Sequence, residues 1–419
     1  MVKFIHTADI HIDSPLKGLE SHEDAPVDQI RTATRRAFDN LIELAIEEQV
    51  DFILIAGDLY DGDWKDYNTG IFFASRMGQL NRAGIKVFIV SGNHDAASQI
   101  TRNMPLPENV TLFSSRKPHS IKLDNLGVVI HGQSYSSLAV TENLASKYPQ
   151  NYSGYFNIGL LHTSLTGREG HENYAPCSLD DLKSKGYDYW ALGHIHKREI
   201  ICEDPWIIFA GNIQGRHIRE TGAKGATLVT LEDGRVANIK ELELDVLRWS
   251  ICHIDLSKCE RTDSVNEAVR QSFEQEIDLA NGKSVAARLV LVGKSPLHAQ
   301  LLDRTAQWTE EFRGIAAGLG DVWLEEVKFH TSRKISLEEV FGENTPIAGL
   351  LQSIQNLELN GDTIFDLVPE LSVLKSKLPA EIHSEDEPFL DISSDKITQI
   401  RTEVQELLIA KLIEHGATR

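Results

Sequence analysis

Residues 86–95 read KVFIVSGNHD: four apolar residues, a Ser-Gly break, then Asn93, His94 and Asp95. An apolar run of that length bounded by turn residues marks a buried strand, and the polar residues behind it stand where the strand leaves its sheet. The same grammar recurs along the first half of the chain. KFIHTADIH (3–11), FILIAGD (52–58), IGLLHTS (158–164) and YWALGHIH (189–196) are each an apolar strand that ends in carboxylates or imidazoles. Between the first two lies a stretch whose Phe38, Leu41, Leu44 and Ala45 follow helical spacing, with Pro26 close before its start. Strand, helix and strand alternating in this way predict a layered α/β domain, with strands at 3–7, 52–56, 86–90, 128–131, 157–161 and 187–192. Helices thin out afterwards, and 199–202, 206–210, 226–231 and 236–244 read as strands of more antiparallel character.

Working outward, 419 residues exceed what one hydrophobic core usually serves, so two or three domains are expected. The first runs over 1–245. A second, over 246–336, alternates strand (249–256), helix (263–277), strand (284–293), helix (297–317) and strand (322–330), a small α/β cap. The third, 337–419, is an acidic linker, LPAEIHSEDEP, with amphipathic helices. Its last helix puts Ile397, Ile400, Val404, Leu407, Leu408 and Leu412 on one stripe, which would pack on its own domain or on a partner helix.

Composition excludes several classes. No apolar run is long enough to cross a membrane, and the N-terminus has no signal-peptide core, so a cytoplasmic protein is expected. Cys177, Cys202, Cys252 and Cys259 form no CxxC pair, which argues against a disulfide framework or a zinc ribbon. The net charge of -20 repels nucleic acid at long range, yet much of it is local, since 14 acidic against 6 basic residues lie from Phe341 onward.

In α/β sheets the loops at the carboxyl ends of strands converge on one rim. The five clusters therefore bring together Asp9, His11, Asp58, Asn93, His94, His162, His194 and His196. Carboxylate, amide and imidazole without thiolate are donors for a divalent ion such as Mn, Fe or Zn. Two such ions sharing a carboxylate suit phosphoester hydrolysis.

In order, D-x-H, G-D, G-N-H-D, a lone His after a strand and G-H-x-H resemble the calcineurin-like metallophosphoesterase family over residues 1–245. The resemblance implies an α/β sandwich of two sheets flanked by helices. It also implies that Asp9, His11 and His196 serve one metal, that Asn93, His162 and His194 serve the other, and that Asp58 bridges them. His94 matches the histidine that approaches the phosphate and assists the leaving oxygen. ADIHIDSPL (8–16), AGDLYD (56–61), VSGNHD (90–95) and LGHIH (192–196) look like SbcD-type DNA repair nucleases, and AGNIQGRHIRETGAKG (210–225) is nearer to their YhaO-type branch. That likeness implies two Mn ions, DNA as substrate with the 246–336 cap as a candidate DNA contact, and an SMC-like coiled-coil ATPase as partner, with a homodimer left open. Asp61 stands where some branches carry histidine, and the 215–224 loop differs from the usual SbcD turn.

Other residues have plainer readings. His6 and His131 belong to no motif and are read as satisfied core or turn histidines. Asp61 and Asp95 read as loop caps, Trp64 and Trp190 as core, and Arg31, Arg35 and Arg36 as a solvated helix face. Gly57, Gly92 and Gly193 read as small residues that let the backbone turn a ligand off a strand end. Arg216, His217, Arg219 and Lys224 are candidates for holding a phosphate backbone, with an ordinary solvated loop as the alternative. Three functions follow: a Mn-dependent DNA nuclease in DNA repair acting with the ATPase, a phosphoesterase on cyclic nucleotides or other small phosphoesters, and an interaction subunit with weak or no hydrolysis.

Overall fold

The computed structural model describes residues 1–16, 27–61, 68–97, 106–166 and 174–333. Pro26, Trp64 and the linker and helices expected over 337–419 lie outside the described residues, as does the side chain of Arg31.

Strand β1 (Val2–Thr7), helix α1 (Val27–Glu47), β2 (Phe52–Ala56), α2 (Asn68–Arg82), β3 (Lys86–Val90), the short α3 (Asn93–Ala97) and β4 (Val110–Leu112) open the chain. Then follow β5 (His119–Leu123), β6 (Val128–Gly132), β7 (Phe156–His162), α4 (Leu179–Lys183), β8 (Tyr189–Gly193), β9 (Glu199–Glu203), β10 (Trp206–Phe209), β11 (Gly225–Glu232) and β12 (Arg235–Glu243). They form two six-stranded sheets, in the orders β12-β11-β1-β2-β3-β4 and β5-β6-β7-β8-β10-β9. Neighbours from β1 to β4 run parallel, as do β6, β7, β8 and β10. The antiparallel character expected of 199–244 is confined to β9 and to the β11–β12 hairpin. That hairpin returns to the first sheet and pairs with β1, Ile5 opposite Leu228.

Period-two alternation builds the layers. On β2, Phe52, Leu54 and Ala56 join Phe4, Phe88, Ile130, Ile158 and Ala191 in one core. Ile53 and Ile55 join Phe38, Leu41, Phe73 and Met77 of α1 and α2 in another. On β8, Tyr189 and Ala191 share the first core, whereas Trp190 and Leu192 pack with Leu161, Tyr148 and Leu182. Strands buried on both faces must read as continuous apolar runs, which is why they were legible.

Further on, β13 (Leu247–Asp255), α5 (Thr262–Ala280), β14 (Ser284–Ser295), α6 (His298–Asp303), α7 (Thr305–Leu319) and β15 (Val322–Arg333) make a three-stranded sheet, order β13-β14-β15, with its helices. The single helix expected over 297–317 is two, broken at Arg304, whose φ of -129° and ψ of 37° are not helical. Two compact units result. Of the described residues, one holds those within 1–252, 268–290 and 311–328, and the other holds 253–267, 291–310 and 329–333. In the first, Trp249, Leu247 and Ala286 pack with Leu16, Ala33 and Ile218. In the second, Leu256 N donates to Val292 O at 2.9 Å, and His298 Nδ1 lies 3.0 Å from Thr331 Oγ1.

Both unassigned histidines are satisfied core residues. His6 Nε2 donates to Leu192 O at 3.1 Å and its Nδ1 accepts from the Tyr189 hydroxyl at 3.0 Å. His131 lies between Ser120 Oγ (2.8 Å) and Asn157 Oδ1 (3.2 Å), stacked on Tyr187, and burial pushes it down to about 4 from 6.5. Between those two values the unfolded chain binds the extra proton, so stability falls as pH falls through this window. At pH 5 the contribution lost is about 2 kcal/mol. Denaturant titrations from pH 7.5 to 4.5 are expected to show a shallower dependence of unfolding free energy on pH in His131→Asn than in the parent. Parallel dependences would contradict this.

Candidate metal centre

The turns that end β1 and β2 are zipped together by backbone hydrogen bonds, and the turn after β8 joins them through the Asp9 carboxylate. Asp9 N donates to Gly57 O, His11 N to Asp58 O and Ile12 N to Leu59 O, each at 3.0 Å. His194 N donates to both carboxylate oxygens of Asp9, at 3.1 and 3.0 Å. Arg35 of α1 grips Asp13 with two hydrogen bonds, at 2.5 and 2.6 Å, and so fastens the β1 turn to the helix layer in place of the solvated face expected of it. Asp9, His11, Asp58 and His194 all have positive φ, at 49°, 46°, 50° and 99°. Left-handed backbone at non-glycine residues costs roughly 1–2 kcal/mol each, and four of the ten such residues among those described are candidate ligands.

Close approach explains the glycines. At Gly57, with φ of 94°, a Cβ would sit 2.3 Å from His162 Nδ1, and at Gly92 it would sit 2.2 Å from Asp58 Oδ1. Neither position has room for a methyl group.

All eight candidates meet at the rim. Asp9, His11, Asp58, Asn93 and His162 are buried, His194 and His196 partly so, and the His94 side chain is 38% exposed. Three groups have ligand atoms within 4.8 Å of one another: Asp9 with His11 and His196, Asp58 with His162 and His194, and His11 with Asp58 and His94. Asn93 adds its Oδ1, 3.0 Å from His162 Nε2.

The orientation of the rings tests whether cations fit. His162 Nδ1 donates to Ala56 O at 2.8 Å, which leaves the Nε2 lone pair facing Asn93 Oδ1 and, at 3.4 Å, Asp58 Oδ2. His196 Nδ1 donates to Glu220 Oε1 at 2.6 Å, and His11 Nδ1 faces Asp61 Oδ1 at 3.4 Å. The Nε2 atoms of His11 and His196 face each other across 3.3 Å. Acceptors facing acceptors in a buried site are repulsive unless positive charge lies between them. The electrostatics of the site point the same way: burial alone would push His162 down, but the charge and hydrogen bond of Asp58, with Asp9 and Ala56 O, bring it up to about 9. Burial and the charge of Asp58 raise Asp95 to about 6, and burial, more than any other cause, raises Asp9. Asp58 itself stays ionised, because His162, His11 and His94 together outweigh its burial. The residues present therefore fit two neighbouring divalent cations, with Asp58 between the two groups.

Around the ligands stand residues with no strand-end signal. Asp61, read as a loop cap, accepts from Ser14 Oγ at 2.8 Å and lies 3.3 Å from His94 Nδ1 and 3.4 Å from His11 Nδ1 and Arg216 Nη1. Asp95 does cap its loop, accepting from Tyr60 N and Gly92 N at 3.0 Å. Glu220 went unnoticed in the sequence. It accepts from His196, from Arg216 N at 2.7 Å and from Asn212 Nδ2 at 2.8 Å. Burial would raise this carboxyl, but the His196 hydrogen bond and charge, with Arg216 and His217, hold it well below the usual carboxylate range. The loop cations are engaged by these groups. Arg216, 15% exposed, turns inward to Ser14 and Asp61, His217 Nε2 lies 3.4 Å from Glu220 Oε1, and Lys224 Nζ lies 3.4 Å from His196 O. For Arg219, the backbone N donates to His217 Nδ1 at 3.3 Å. A phosphate-holding role for Arg216 and Lys224 would compete with these internal contacts.

Comparison with known proteins identifies the family. A family model described as "Calcineurin-like phosphoesterase" matches residues 2–198, and one described as "Metallophosphoesterase YhaO, middle domain" matches 249–332. The chain is 38% identical over 298 residues to the "Uncharacterized metallophosphoesterase YhaO" of Bacillus subtilis (strain 168), across 70% of this chain and 72% of that protein. It is 26% identical over 309 residues to the "DNA double-strand break repair protein Mre11" of Sulfurisphaera tokodaii, across 70% of this chain and 74% of that one. A solved dimetal phosphatase of Danio rerio aligns with 58% of this chain and 97% of its own at a TM-score of 0.36 and 11% identity.

Proposed function

Since the chain belongs to the calcineurin-like metallophosphoesterase family, we propose that it is a two-metal phosphodiesterase whose substrate is DNA, acting as a Mn-dependent nuclease in DNA repair. One observation carries the chemistry: two neighbouring groups of nitrogen and oxygen donors, most of them buried, with the Asp58 carboxylate within ligand distance of His162 and His194 in one and of His11 in the other. In this reading Asp9, His11 and His196 hold one ion, Asn93, His162 and His194 the other, and Asp58 both. Such a pair, when bound, supplies Lewis acidity toward a phosphoryl oxygen and lowers the pKa of nearby water. N and O donors accept Mn, and equally Fe or Zn.

The chain's own residues do the rest. Asp61 holds the Nδ1 edge of His94, leaving Nε2 of this half-exposed ring to carry a proton to the departing oxygen. His94 N donates to Asp58 Oδ1 at 3.0 Å, so the acid and the shared carboxylate are placed by the same turn. Although His94 stands close enough to His11 and Asp58 to serve as a ligand, its contact with Asp61 and its exposure favour the proton-transfer role.

DNA as substrate is supported by similarity to the Mre11 protein across most of both chains. An SMC-like coiled-coil ATPase is the partner we propose, docking on residues 337–419. Among the described residues no helix is long and apolar enough to cross a membrane, and four free cysteines support a cytoplasmic setting. The net charge of -20 favours a second substrate class, cyclic nucleotides or small phosphoesters. A panel of single- and double-stranded DNA, cyclic nucleotides and small diesters, with Mn against Mg and with and without the ATPase, separates the two. Mn-dependent degradation of DNA supports the nuclease, whereas turnover of the small substrates alone contradicts it.

A further inference from the structure

His11, His196 and His162 differ in what stands behind them. His162 is backed by the carbonyl oxygen of Ala56, and His196 by the carboxylate of Glu220 at 2.6 Å. A carboxylate behind an imidazole fixes its tautomer and raises the basicity of the far nitrogen more than a carbonyl does. Glu220 is built into place for this. Its other oxygen takes hydrogen bonds from Arg216 N and Asn212 Nδ2, and Arg216 Nη2 lies 3.9 Å from its first. Asn212 Nδ2 is in turn spent on Gln214 O, at 2.9 Å.

The loop itself is seated firmly. Trp249 Nε1 donates to Gly215 O at 2.9 Å, and Gln214 bonds both Val246 N and Leu247 O, at 2.9 and 2.7 Å. A Cβ on Gly215 would meet Trp249 at 2.8 Å, so ring and loop are in close contact. Arg216 extends from this seat to Asp61, the carboxylate that faces His11 and His94.

We propose that Glu220 is a positioning residue for one ion of the pair, the one held by Asp9, His11 and His196, and that it sets that ion's affinity through the His196 ring without touching the other. The proposal rests on the two-metal reading above. Nothing in the strand-end motifs points to Glu220, since it lies 24 residues from the histidine it orients and reaches it through the loop.

Mn binding to the full chain, followed by calorimetry and by the electron paramagnetic resonance of the bound ions, tests it. The parent is expected to bind two ions. Glu220→Ala should weaken one by about 10–100-fold and leave the other within about threefold. Glu220→Gln keeps an acceptor for His196 Nδ1–H but cannot satisfy Arg216 N, Asn212 and His196 as a carboxylate does, so it should fall in between. A second readout needs no metal. In the metal-free parent the His196 Nδ1 proton should resonate far downfield, as short charge-assisted hydrogen bonds do, and that signal should vanish in Glu220→Ala. If the parent binds two ions and Glu220→Ala binds both as tightly, or loses both equally while folded, Glu220 has no selective role and the two-metal reading stands. If the parent binds fewer than two, both fall together.

Discussion

Asp58→Asn is expected to abolish binding of at least one of the two ions and to lower phosphodiester turnover by about 10³-fold or more. Asparagine is the informative replacement, because it tolerates the left-handed backbone that Asp58 adopts at φ of 50°, where alanine would add backbone strain to the loss of charge. The amide can still accept from His94 N, so the turn that carries His94 keeps its anchor. What disappears is the negative charge between the two donor groups, against which His162 now rises to about 9. Metal content after dialysis, together with the rate on a bis-aryl phosphate, reads the effect. Two ions retained with near-parental turnover would remove Asp58 from the centre of the site.

His94→Ala makes the complementary case. Its side chain is more open to solvent than those of the buried ligands, and it is held at one edge by Asp61 3.3 Å away, as suits a group that meets the substrate and moves a proton. On the proposed function both ions should remain bound, and turnover of the proposed DNA substrate should fall by about 10²–10⁴-fold, the range for a lost general acid. The deficit should shrink on a bis-p-nitrophenyl ester, since p-nitrophenolate departs without a proton whereas a sugar alkoxide does not. Asp61→Asn should show the same substrate dependence in milder form. Loss of an ion in His94→Ala would instead make His94 a ligand, as its proximity to His11 and Asp58 allows. An equal deficit on both esters would remove the acid role.

The parts of the fold that were legible are those where burial on both faces forces an unbroken apolar run. Phe52–Ala56 and Lys86–Val90 are strands over the residues expected, and β8 starts two residues later than its run suggested. Strand ends then marked the candidate ligands that the fold brings together, because Asp58, Asn93 and His194 stand just beyond such runs. Positive φ at Asp9, His11, Asp58 and His194 left no mark in the sequence, since it is imposed by turns zipped to one another and not by residue type. Short β4 and β5 were missed for a related reason: as edge strands of three and five residues they carry half-exposed, mixed sequence. The 215–224 loop carried a different signal. Its four basic or imidazole side chains suggested a phosphate cradle or a solvated loop, and Glu220, the one acid among them, bonds inward to His196. Its partners emerge only when β8, the loop and Trp249 come together.

Diffraction from crystals soaked in Mn, collected above and below the metal's absorption edge, tests the central claim most directly. Two anomalous peaks about 3.5–4 Å apart are expected, one among Asp9, His11 and His196 and one among Asn93, His162 and His194, with Asp58 in reach of both. A single peak, or two that do not share Asp58, would contradict the two-metal centre.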